Sequence, residues 1–140
     1  MRNNRVLSLL LAPLLVLALA AAALLVDPEP INVPPGLSDA AVTKAIRLSV
    51  AKRGWVITRD DPGYMEATLH ARIHVAKISL KYDTAQIAIH YLSSENLEYE
   101  THGGKTYIHG NYLKWVNNLV HDINVQMAAV MPEDAAPASH

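Results

Sequence analysis

Met65-Glu66-Ala67-Thr68-Leu69-His70-Ala71, Ala76-Lys77-Ile78-Ser79-Leu80-Lys81-Tyr82 and Ala85-Gln86-Ile87-Ala88-Ile89-His90-Tyr91 decide the fold. In each stretch apolar residues alternate with polar ones at period two, the mark of a strand with one buried and one wet face. Asp60-Asp61-Pro62-Gly63 precedes the first, a reversal near Ile73-His74 separates the first two, and Asp83-Thr84 separates the last two. Such short connections join antiparallel neighbours, so the reading is a meander. Trp55–Arg59 adds a strand before it, and Leu97 with Tyr99 adds a short edge strand before the Gly103-Gly104 turn.

A sheet with one apolar face needs a cover. On the N-terminal side, Ser38 is an N-cap candidate and Asp39 suits the positive end of a helix. Val42, Ala45, Ile46 and Ser49 share one helical face, and Gly54 stops the helix, with Trp55 folding back on Val50. On the C-terminal side, Tyr112, Trp115, Val116, Leu119, Ile123, Met127 and Val130 form a wide apolar stripe that Pro132 ends. The expected fold class is therefore α+β, with two helices on one face of a four- or five-stranded antiparallel meander, in the order α-β-β-β-β-(β)-α.

Outward from this unit, Arg2 and Arg5 precede a run without charge from Val6 to Val26. Residues 1–26 read as a secretory signal or an uncleaved membrane anchor. Ala18-Leu19-Ala20, Ala20-x-Ala22 and Ala21-x-Ala23 each offer a small-x-small cleavage pattern. The 21 residues Val6–Val26 also reach the length that crosses a bilayer, roughly 20 residues. Either way, arginines before the run and Asp27 and Glu29 after it place the domain outside the cytoplasm. In a bacterium that is the periplasm, or the periplasmic side of the inner membrane. Residues 27–36 carry four prolines and read as an extended spacer. Residues 37–131 read as the single domain and 132–140 as a disordered tail.

The chain of 140 residues has no cysteine, which excludes disulfides, thiolate metal sites and cysteine nucleophiles. From Asp27 onward ten Lys and Arg face thirteen Asp and Glu, which excludes the basic stripe of a nucleic-acid binder. No nucleophile elbow, phosphate loop or dinucleotide fingerprint is present. Seven histidines raise a metal or His-dependent hydrolase as an alternative, but none follows a standard ligand spacing, so no metal ligand and no cofactor is assigned.

Two groups of residues are candidates for binding. Arg72, His74, Asn96, Tyr99, His109 and Asn111 combine polar groups with turns, where binding residues collect. His70, Arg72, Lys77, Lys81 and His90 fall on the outward side of the meander and form a basic face, suited to an anion if it is not simply solvated. A non-enzymatic interaction module follows, with an envelope protein or polymer as partner, or else a structural subunit of an envelope complex.

Three blocks also resemble a family. Arg72-x-His74-x-Ala76-x-Ile78-x-Leu80-x-Tyr82-Asp83, Ser94-Glu95-Asn96-Leu97-x-Tyr99 and Ile108-His109-x-Asn111-Tyr112-x-x-Trp115-Val116-x-Asn118-Leu119-x-x-Asp122-Ile123 are similar to small, uncharacterised proteobacterial envelope proteins, many of them lipoproteins. The resemblance runs from about Leu37 to Ile123 and implies an exported, membrane-tethered module without assigned catalytic residues. Many relatives carry a lipobox cysteine, which this chain lacks.

Overall fold

The computed structural model describes residues 22–131. Most of the apolar leader and the tail 132–140 lie outside them. The chain runs β1 (Ala22–Leu24), β2 (Ile31–Asn32), α1 (Asp39–Lys52), β3 (Val56–Asp61), β4 (Tyr64–Ala71), β5 (His74–Tyr82), β6 (Gln86–Glu95), β7 (Glu100–His102), β8 (Lys105–His109) and α2 (Gly110–Ala129). The class is α+β. One sheet has the order β2-β6-β5-β4-β3 and a second the order β1-β8-β7, with every pairing antiparallel.

The meander β3–β6 follows the alternation of the sequence. Met65, Ala67, Leu69, Ala76, Ile78, Leu80, Tyr82, Ile87 and Ile89 are buried on one face. Val42, Ala45, Ile46 and Val50 of α1 join them in a single core with Tyr112, Val116, Leu119, Ile123 and Met127 of α2. Ser38 caps α1 by accepting from Ala41 N at 3.1 Å. Gly54, at φ +79°, ends it: Gly54 N donates to Ala51 O and Trp55 N to Val50 O, the paired bonds of a Schellman stop. Pro62 and Gly63 turn β3 into β4, and Arg72 and Ile73 turn β4 into β5, since Asp61 pairs with Tyr64 and Ala71 with His74.

Three expectations are corrected. Residues 22–26 do not continue an apolar helix: Ala22–Leu24 is strand β1, paired to Tyr107–His109, and Leu25 N donates to Thr106 O at 2.8 Å. Among the described residues, no helix is long and apolar enough to cross a membrane. Residues 27–36 are extended but are no free spacer. Ile31 and Val33 are buried, β2 pairs with β6, and the Asp27 carboxylate accepts from Tyr91 N at 2.9 Å. Prolines at 28, 30 and 34 supply no N–H, so the ladder is cut to two residues and leaves little trace in the sequence. The folded unit thus includes residues 22–36 as well as those from 37 onward. Leu97 and Tyr99 form no edge strand; Leu97 is buried, and β7 and β8 flank the Gly103-Gly104 turn in the second sheet.

Candidate functional site

The β4–β5 turn and the segment after β6 meet at one end of the domain. Asn96 Nδ2 donates to Ile73 O at 2.8 Å, and His74 Nδ1 lies 2.6 Å from Asn96 O. A carbonyl only accepts, so His74 Nδ1 carries a proton, and in the neutral ring Nε2 keeps its lone pair. The start of α2 approaches the same place. His109 is its N-cap, and His109 Nδ1 accepts from Asn111 N at 3.1 Å, so in the neutral ring the proton sits on Nε2. The two imidazoles stand 5.9 Å apart with opposite polarity, His74 offering an acceptor and His109 a donor. The Trp115 ring lies 6.3 Å from His74.

All three non-glycine residues with positive φ among the described residues sit here: Arg72 at 57°, Asn96 at 55° and Glu98 at 54°. Side chains with a Cβ disfavour that region, and such strain concentrates at functional sites. Beside them Tyr99, half exposed, stacks on Tyr91 at 5.2 Å, and Tyr91 meets Tyr112 edge-on at 5.5 Å. Burial pushes the Tyr112 and Tyr91 phenols up, so both stay protonated and neutral at ordinary pH.

The structure therefore brings His74, Asn96 and His109 together, with Arg72 in the adjoining β4–β5 turn. Tyr99 adds an exposed ring by way of Tyr91, while Asn111 contributes a backbone N–H to the helix cap. In the sequence Trp115 reads as part of the apolar stripe of the last helix, and Glu98 as one of the solvated edge residues of 94–100. The spacing of Trp115 suits both a core residue and a site wall, and nothing local marks Glu98 as a positive-φ position.

The outward sheet face is different from the basic patch expected. His70, Lys77, Lys81 and His90 do point away from the helices, but acids sit among them. Glu66 binds Lys77 Nζ at 2.7 Å and accepts from the Tyr64 hydroxyl at 3.0 Å, which together hold its carboxyl below the usual range. Asp27 lies 2.9 Å from His90 Nδ1. Arg72 stands at the hairpin tip, off the face. The result is a charge-balanced surface, because the register places Glu66 beside the lysine strand and the N-terminal strap delivers Asp27. His70 and His74 fall on opposite faces, as the intervening turn requires. Among the described residues no three of His, Asp and Glu gather into a group able to hold a metal.

Compared with protein-family models, with curated proteins and with solved structures, the chain gives no match.

Proposed function

We propose that this is an exported, non-enzymatic binding module of the bacterial envelope, and that its ligand is a hydroxyl-rich envelope polymer held at the His74–His109 end. Export rests on the arginine-led apolar leader and the resemblance to envelope proteins. The observation that carries the binding reading is the pairing of two oppositely polarised imidazoles beside Trp115, inside the cluster of positive-φ residues. A sugar hydroxyl both donates and accepts, which matches His74 Nε2 and His109 Nε2–H. Aromatic faces take the apolar side of the ring, and Tyr99 is open to solvent for this. The His109 tautomer also speaks against that residue as a metal ligand. To ligate through Nε2, His109 must move its proton to Nδ1 and give up the α2 cap.

The test is titration of the purified protein with soluble cell-wall glycan fragments, read by tryptophan fluorescence. Saturable binding is expected, weakened about tenfold by Tyr99→Ala or His74→Ala, the loss of roughly one good contact each. Absence of binding, or binding untouched by both variants, overturns the assignment. Stoichiometric zinc in the protein as isolated overturns it in favour of the metal alternative.

A further inference from the structure

The N-terminal leader offers three small-x-small patterns, and the fold distinguishes among them. Cutting after Ala20, after Ala22 or after Ala23 leaves Ala21, Ala23 or Leu24 as the first residue. Strand β1 pairs Ala22 with His109, Ala23 with Ile108 and Leu24 with Tyr107. The second cut removes one of these pairs and the third removes two. Only the first leaves the whole ladder; the Leu25–Thr106 bond that follows it survives all three cuts. We infer that the chain is processed by a signal peptidase between Ala20 and Ala21, so that the mature protein opens with strand β1. This rests on the export reading proposed above.

Two further observations agree. Strand β1 takes the last five residues out of the Val6–Val26 run, since Ala22–Val26 belong to the folded domain. What remains uncharged ahead of it is 16 residues, Val6 to Ala21. As a helix that is about 24 Å, short of the roughly 30 Å hydrocarbon core, but it suits the h-region of a cleaved signal. In addition, once the domain has folded, the Ala22–Ala23 and Ala23–Leu24 bonds lie inside a hydrogen-bonded strand, whereas the Ala20–Ala21 bond lies ahead of it. Hydrolysis adds one water: Ala20 departs with a carboxylate and Ala21 keeps an α-ammonium.

The full chain is expressed in a Gram-negative bacterium and the protein recovered from the envelope fractions is read by intact mass and N-terminal sequencing. The expected first residue is Ala21. Ala20→Leu, which removes the small residue at the cut, is expected to accumulate the full-length chain, whereas Ala23→Leu is expected to be cut as before. A first residue of Ala23 or Leu24 overturns the inference and leaves export standing. So does an uncut chain whose domain is digested by protease added outside the inner membrane. An uncut chain protected in the cytoplasm overturns export and the cleavage together.

Discussion

Arg53, which closes α1, clasps Asp122 in the middle of α2: Nε donates to Oδ2 at 2.6 Å and Nη2 to Oδ1 at 3.0 Å. This two-point contact fixes how the helices cross above the sheet. Asp122 is only 3% exposed, and the guanidinium holds its carboxyl below the usual carboxylate range. The folded-state value therefore lies under the unfolded value of about 3.9, so the stabilisation is complete above about pH 4 and drains away as pH falls through the folded value. Asp122→Asn is expected to lower the melting temperature clearly at neutral pH. The gap to the unmodified protein is expected to shrink in acid. Thermal melts of both proteins from neutral to strongly acidic pH check this; a gap independent of pH refutes it.

The α2 stripe makes a second prediction. Leu119 and Ile123 are fully buried against α1 and the sheet, while Val125 on the same helix is 47% exposed. Leu119→Ala removes apolar atoms and leaves a void that a close-packed core fills poorly, a loss of about 2–5 kcal/mol. Val125→Ala is expected to stay within about 0.5 kcal/mol. Denaturant unfolding of the two variants separates them.

Arg72 predicts a trade between stability and binding. It occupies a two-residue turn at φ 57° and makes no hydrogen bond or ion pair among the described residues. Glycine adopts that conformation without strain, so Arg72→Gly is expected to stabilise the domain by about 0.5–1 kcal/mol. If the guanidinium serves the site, the same variant binds its ligand less tightly. Unfolding curves and ligand titration on one preparation measure both. A variant that is destabilised removes the argument from strain.

These results show which physics a single sequence exposes. The meander and α2 were legible because burying one face imposes a period on every residue, and the Gly54 stop was legible because its signal is confined to a few neighbours. Strand β1 was not, since Ala22-Ala23-Leu24 reads as leader in any window that includes the preceding apolar run. Strand β2 is only Ile31 and Asn32, in a three-residue gap between Pro30 and Pro34, too short for any period. At the site, residue types at turns pointed to Arg72, His74, Asn96 and His109. The proton positions that give the imidazoles opposite polarity depend on Asn96 O, 22 residues from His74, and on a cap closed only after α2 forms.

Gly63 tests the turn chemistry. It sits at φ +75°, and a Cβ built there meets Tyr82 O at 3.1 Å, the residue whose own N–H bonds Gly63 O. Gly63→Ala thus combines an unfavourable φ with backbone crowding that no side-chain rotation relieves. A loss above about 1 kcal/mol is expected in denaturant unfolding. Full stability in the variant contradicts the turn described.

Asp27 predicts a local effect. Its carboxylate takes the Tyr91 N–H at 2.9 Å and lies 2.9 Å from His90 Nδ1, so it ties the N-terminal strap to β6 beyond the reach of β2. Asp27→Ala strips the Tyr91 amide of its partner, and amide exchange there is expected to accelerate strongly. The Leu25 amide, bonded to Thr106 O, distinguishes two structures of the strap. If β1 and the Asp27 contact open together, Leu25 exchange rises in parallel. If the β1–β8 ladder holds alone, only Tyr91 responds. The first outcome is expected, because a strand of three residues at a sheet edge has few bonds of its own and depends on the contact that follows it.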